Sequence, residues 1–338
     1  MTMLPKTNEQ GFFEIRLESI GGLGANLAGK MFAEAGVLWS GLNGANFSSY
    51  GSEKKGTPVK SFIRFCEPHI EIRDHSPIAT PHVIGVFHEA LAKMVDVTSG
   101  LVADGTAVVN STREFDDIRR DLRLPYGTLV IVDALGIAVE ERVKINMPMV
   151  GALLRVCSFI QPEAMETVIR RTFATKAPHL VEANIRAFRR GYEEVRIQAS
   201  PAPTEERTFV RPSPRFGYET QLIGGVIVAG GNSLLKNVSG SRQGFLPRWE
   251  ADKCIHCVAC DNVCPDLCFV WEERVDKKGR KQMFLAGIDY QYCKGCLKCV
   301  EACPTAALVA EREVPGFAEA HSLKHSFSFM KGGMEAWQ

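Results

Sequence analysis

Nine of the chain's eleven cysteines fall between Cys254 and Cys303. Eight of these form two identical runs, Cys254, Cys257, Cys260 and Cys264, then Cys293, Cys296, Cys299 and Cys303, each member 39 residues after its counterpart. A proline follows each fourth cysteine, Pro265 and Pro304. Soft thiolates in such runs hold zinc or iron–sulfur clusters. Four-cysteine zinc sites usually lack the third cysteine of a tight triplet and the proline after the fourth, so the spacing points to iron and sulfide. Ligands at every third residue wrap three thiolates around one cubane. The fourth cysteine lies past the reach of that loop and serves the other cluster. The runs therefore predict one [4Fe–4S] cluster on Cys254, Cys257, Cys260 and Cys303, and a second on Cys293, Cys296, Cys299 and Cys264. In a secreted domain the same density would suggest disulfides, but the N-terminus lacks the apolar core of a secretory signal.

Three cysteines fall outside the repeat. Cys268 has no counterpart in it and is expected as a small buried hydrophobe beside a cluster, with ligation of a modified cluster as the alternative. Cys66 and Cys157 lie in apolar segments and are expected in a core. His256, between two ligands, is expected to pack or to donate a hydrogen bond.

The elements that position these residues fall into three parts and a tail. Residues 248–312 read as a small α+β domain of the bacterial two-cluster ferredoxin type, with a β-hairpin over 270–285 between the halves. Ten lysines and arginines balance ten carboxylates over 247–312. A shuttle that docks by long-range steering carries a single-sign field, so this balance fits a wire built into a larger enzyme. Residues 1–197 read as an α/β domain with a mostly parallel, Rossmann-like sheet. Strands are expected over 12–20, 59–66, 106–110 and 128–133. Helices are expected over 25–35, closed by Gly36, over 83–95, and in succession over 146–196. Residues 198–247, rich in proline and glycine pairs, form an extended connector. The tail 313–338 has no clear period.

Composition narrows the function classes. The chain has 338 residues, a formal net charge of +1, 45% hydrophobic and 23% charged residues. That balance argues against a nucleic-acid partner or a polybasic membrane surface. No apolar run approaches the roughly 20 residues of a membrane helix. A cytoplasmic protein is expected.

A glycine-rich turn, Gly21-Gly22-Leu23-Gly24, follows the first strand and opens a helix, where an anion could be held. It matches a dinucleotide fingerprint poorly, because Leu27 stands at the third glycine position and no acidic residue lies near position 45. The turn, with Phe47-Ser48-Ser49-Tyr50-Gly51 through Lys54-Lys55-Gly56-Thr57-Pro58 and Asn146-Met147-Pro148-Met149, resembles the gamma subunit of 2-oxoacid:ferredoxin oxidoreductases. Gly224-Gly225 to Asn232-Ser233, with Ser241-Arg242-Gln243-Gly244-Phe245, is similar to the lead-in of the ferredoxin-like delta subunit. The likeness covers nearly the whole chain to Arg312, as a gamma–delta fusion. Leu23 stands where the family usually has glutamine, and Lys54-Lys55 where paired arginine is common.

That resemblance implies an electron-transfer subunit. Partner alpha and beta subunits would hold thiamine diphosphate, Mg2+ and a further [4Fe–4S] cluster, since no thiamine motif occurs in this chain. Electrons from oxidative decarboxylation would pass through the two clusters to soluble ferredoxin. Pyruvate is the default substrate, with oxalate or another 2-oxoacid open. Gly21, Gly22, Gly24, Lys54 and Lys55 would form a loop on the substrate or coenzyme A side, and the lysines equally read as a solvated pair. The alternatives are a self-contained NAD(P)- or flavin-linked iron–sulfur oxidoreductase and a non-catalytic cluster-bearing docking protein.

Overall fold

A computed structural model of the chain describes residues 4–51, 57–93, 95–200, 223–224, 237–275 and 279–325. The chain divides into two units, Met1–Phe209 and Val210–Gln338, each with its own buried core.

The first unit is built on strands β1 (Phe13–Ile20), β2 (Asn43–Tyr50), β3 (Pro58–Cys66), β4 (Val83–Val86), β5 (Thr106–Asn110), β6 (Gly127–Val132) and β7 (Arg196–Ser200). They form one sheet in the order β2-β3-β1-β4-β5-β6-β7. Strands β1, β4, β5 and β6 run parallel, and antiparallel strands close both edges. The α/β class is as the sequence predicts. Six helices accompany the sheet among the described residues: α1 (Ala25–Glu34), α2 (Phe115–Leu122), α3 (Ala134–Glu141), α4 (Asn146–Val156), α5 (Pro162–Ala174) and α6 (Val181–Glu193). Cys66 and Cys157 are fully buried, as expected of core residues.

β1 alternates apolar and charged residues, a pattern that ordinarily marks one solvated face. Here both faces are buried. Phe13, Ile15 and Leu17 join the main core, while Glu14, Arg16 and Glu18 form ion pairs on the other side. Arg64 of β3 meets Glu14 at 2.6 Å, and Arg16 and Lys60 meet Glu18 at 2.8 and 3.0 Å. The Arg16 guanidinium also donates to the carbonyls of Ile78, Val97 and Ser99, and Arg64 to that of Asp74. The segments around 74–78 and 97–99 are thus fastened over the charged face by hydrogen bonds.

Two local expectations need correction, and one strand was not foreseen. Residues 83–95 are not one helix: β4 occupies Val83–Val86, and a short 3-10 turn follows over Glu89–Lys93. A central parallel strand buried on both sides lacks the alternation that identifies strands. Gly36 does not cap α1 in a left-handed conformation; the chain continues into a π-helical turn, Ala35–Trp39. A Cβ at Gly36 would overlap the Phe65 ring, so close packing explains this glycine. β2 is a strand that local composition does not announce, because Asn43, Gly44, Asn46 and Ser48 carry little strand propensity; pairing along all of its length with β3 overrides this.

The second unit contains β8 (Phe245–Trp249), α7 (Ala259–Val263), β9 (Phe269–Val275), β10 (Lys281–Ile288), α8 (Lys298–Ala302), β11 (Leu308–Arg312) and α9 (Phe317–His321). β8 pairs antiparallel with β11, and β9 with β10 in the expected hairpin. The tail contributes α9, and the Leu323 N–H donates to the Ile288 carbonyl.

Two half-buried or buried imidazoles give the first unit a pH dependence. His82 Nδ1 accepts from the Glu14 N–H at 3.0 Å, and His88 Nδ1 accepts from the Ala90 N–H at 3.1 Å. Burial holds both below the ordinary value of 6.5. The unfolded chain therefore binds more protons than the fold as pH drops below 6.5, so their contribution is full above that pH and is lost below it. Calorimetry should show the first unit's Tm falling as pH drops below 6.5, less steeply in a His82→Gln/His88→Gln variant. An equal slope in both proteins would refute the assignment.

Candidate metal centres

The cysteine repeat is also a backbone repeat. Positive φ angles occur at His256, Val258 and Leu267, and again 39 residues later at Gly295, Leu297 and Ala306. α7 and α8 begin and end 39 residues apart as well. A left-handed conformation costs an L-residue about 1–2 kcal/mol. Its repetition at matching places marks a course that each run must follow to curl around something. Gly295 additionally lies against the Phe245 carbonyl, where a Cβ would overlap it. His256 takes the corresponding place in the first run. Its Nδ1 accepts from the Leu285 N–H at 3.0 Å, rather than donating, and its ring packs edge-on against Phe284.

Two cavities result. One is lined by Cys254, Cys257 and Cys260 together with Cys303. The other is lined by Cys293, Cys296 and Cys299 together with Cys264. In each, three thiols come from one run and the fourth from the other. Cys268 lines the second cavity too. Among the described residues no three His, Cys, Asp or Glu side chains converge as the ligands of a single ion would. Four thiols spaced around a hollow, rather than around a point, fit a polynuclear cluster.

The two cysteines that cross over share one electrostatic environment. Cys264 Sγ accepts from the Cys268 N–H at 3.4 Å, and Cys303 Sγ from the Ala307 N–H at 3.2 Å. Hydrogen bonding from Cys268 draws the Cys264 thiol down to about 6. Burial opposes ionisation of Cys303, but hydrogen bonds from Thr305, Leu308 and Ala307 still bring it below its ordinary value. Burial instead pushes Cys260 and Cys299 up to about 12. Those interior thiols gain a reason to ionise only from a cation in the cavity.

Contacts that motif reasoning missed tie the halves together around the second cavity. Lys294 reaches Asp266 at 2.7 Å across the two runs. Arg242 donates to the carbonyl oxygens of Tyr290 and Cys293 and pairs with Glu313 at 2.9 Å. The Tyr290 hydroxyl donates to the Pro247 carbonyl at 2.6 Å. Arg242 lies in the segment that resembles the delta-type lead-in, which was the available signal; Lys294 and Asp266 carried none.

The glycine turn of the first unit is a separate candidate. Gly22 and Gly24 have φ of 113° and 83°, Gly21 N–H donates to the Thr57 carbonyl, and Gly24 meets Asn146 at the start of α4. Tyr50 and Asn26 hydrogen-bond beside it. Leu23 is buried in the core, so the residue that replaces the family's glutamine offers nothing to a ligand. Lys54 and Lys55 lie outside the described residues.

With this geometry in view, the comparisons with known proteins are decisive. A family model described as pyruvate ferredoxin/flavodoxin oxidoreductase matches residues 14–194. The chain belongs to that family. A second model, a 4Fe-4S dicluster domain, matches residues 253–307, which contain both cysteine runs, so this family member carries iron–sulfur clusters of its own. The pyruvate synthase subunit PorC of Thermotoga maritima is 38% identical over 188 residues, 55% of this chain and 95% of that protein. The common gamma subunit of the pyruvate/ketoisovalerate oxidoreductases of Pyrococcus abyssi is 33% identical over 186 residues, 54% of this chain and 97% of that protein. The crystal structure of the Thermotoga maritima subunit matches with 34% identity and a TM-score of 0.49, covering 55% of this chain and 98% of that one. The chain is a subunit of an oxidoreductase complex, and no helix among the described residues is long and apolar enough to cross a membrane.

Four of the eleven buried residues in the second unit's core are cysteines that line the cavities. A core so dependent on its ligands should not survive without them. Anaerobic removal of iron by a chelator should abolish the second unit's calorimetric transition and leave the first unit's in place. Survival of both transitions in iron-free protein would contradict this.

Proposed function

We propose that this chain is the electron-exit subunit of a thiamine-diphosphate-dependent 2-oxoacid:ferredoxin oxidoreductase, with a gamma-type part at 1–197, a connector at 198–247, a delta-type ferredoxin part at 248–312 and a tail at 313–338. The observation that carries the proposal is the pair of cavities, each lined by three thiols of one cysteine run and completed by the fourth cysteine of the other, on a chain whose first half belongs to the family. Cys254, Cys257, Cys260 and Cys303 would hold one [4Fe–4S] cluster, and Cys293, Cys296, Cys299 and Cys264 the other. Bound clusters supply one-electron carriage. The chain's own residues do the rest. The Cys268 and Ala307 N–H groups donate to the crossing sulfurs, and such hydrogen bonds raise a cluster's potential. Trp249, Trp271 and Leu285 wall the first cavity, and Phe269 and Ile288 the second. Lys294 and Asp266 hold the two runs in register.

The carbon chemistry belongs, on this proposal, to alpha and beta partners that hold thiamine diphosphate, Mg2+ and a further cluster. Relatives named as pyruvate synthase subunits favour pyruvate; oxalate and other 2-oxoacids are the competing substrates. Soluble ferredoxin takes the electrons, and coenzyme A approaches on the side of Gly21, Gly22, Gly24, Lys54 and Lys55. The reducing cytoplasm suits eight free thiols that must meet iron.

Four measurements test this proposal. The chain purified anaerobically should hold about eight iron and eight sulfide, four of each per cubane. Cys303→Ala should damage the cluster held mainly by Cys254, Cys257 and Cys260 and spare the other; the opposite pattern would show uncrossed ligation. The chain alone should decarboxylate no 2-oxoacid even with thiamine diphosphate and Mg2+. The whole complex should reduce a viologen with pyruvate, and omission of coenzyme A should lower that rate. Turnover by the isolated chain would overturn the division of labour.

A further inference from the structure

The 39-residue repeat supplies an internal comparison at every position, and one buried position differs in chemistry between the halves. Cys268 stands four residues after Cys264, and Ala307 four residues after Cys303. Both donate a backbone N–H to the sulfur of that preceding cysteine. Both side chains are buried, at 4% and 2% exposure. Each lines the same cavity as the cysteine it follows. Beside Cys303 the side chain there is a methyl, so the first cavity has four thiols. Beside Cys264 it is a thiol, so the second cavity has five.

A structural role needs no sulfur at this place, because alanine fills it in the sister site. Its N–H binds Cys264, which keeps the Cys268 backbone beside the crossing ligand. We propose that Cys268 is an alternative fourth ligand of the second cavity, able to bind the iron otherwise held by Cys264. The inference rests on reading the cavities as cluster sites. The exchange moves no electrons. A bond forms between iron and the Cys268 sulfur, the iron–sulfur bond to Cys264 breaks, and the proton of the Cys268 thiol ends on the released Cys264 thiolate.

The full chain, purified anaerobically, tests this with four variants: Cys264→Ala, Cys268→Ala, Cys264→Ala/Cys268→Ala and Cys303→Ala. The readouts are iron per chain and low-temperature electron paramagnetic resonance, which distinguishes four-iron from three-iron clusters. Cys264→Ala and Cys268→Ala should each keep about eight iron without a three-iron signal, four iron per cubane. The double variant should lose iron from the second cavity. Cys303→Ala should lose iron from the first, since Ala307 offers no replacement. The resonance of the first cavity reports that the unit is folded in Cys264→Ala. Loss of iron in Cys264→Ala equal to that in the double variant, or loss of both signals, would overturn the proposal. A wild-type chain without its eight iron would instead overturn the cluster reading itself.

Discussion

Each half of the second unit is incomplete by one thiol, and that constraint organises the unit. A loop with cysteines at every third residue can surround a cavity on three sides only. Closure must come from elsewhere, and here it comes from the cysteine that ends the other loop. The halves cannot separate without opening both cavities. Lys294 with Asp266, Arg242 with the Tyr290 and Cys293 carbonyls, and the β8–β11 pairing reinforce the same association. A core of eleven buried residues is small for such a unit. Ligand bonds to the clusters would contribute folding free energy that apolar burial does not.

The first unit meets a different constraint. Its central strand carries Glu14, Arg16 and Glu18 on a face that is buried. Charges removed from water are tolerated when paired and hydrogen-bonded, and these are. Arg64 meets Glu14 and lies over the Phe12 and Phe47 rings, at 6.0 and 5.4 Å. Arg16 satisfies three carbonyl groups of irregular chain. The segments that Arg16 holds are irregular, and those backbone oxygens have no ladder to join. Guanidinium groups rooted in the sheet supply the missing donors.

What could be read from the sequence follows from these two arrangements. The cysteine runs were legible because ligand spacing is a local property, and the repeat carried it into the backbone, down to the paired left-handed residues. The parallel sheet was legible from apolar runs such as those of β5 and β6. β4 was not, since a four-residue strand buried on both faces has no period, and the helical composition after it dominates. β2 was not, since its stability comes from β3 and not from its own residues. The alternation of β1 was legible as a strand but misleading about solvent, because the residues that cover its charged face are irregular and far along the chain. Cys268 could be seen as unmatched; that it shares a cavity with four other thiols required the three-dimensional arrangement.

Charge and covalent connection bear on each other in the proposed wire. A free carrier protein finds its partner faster when its surface has one sign, and the gain is lost at high salt. The segment 247–312 carries ten charges of each sign and has no such field. Joined to the gamma-type unit by the chain itself, it has no partner to search for on that side. Joining two units in one chain gives effective concentrations in the millimolar range. Steering would then add little to that encounter, and a one-sign surface would carry a cost in self-repulsion.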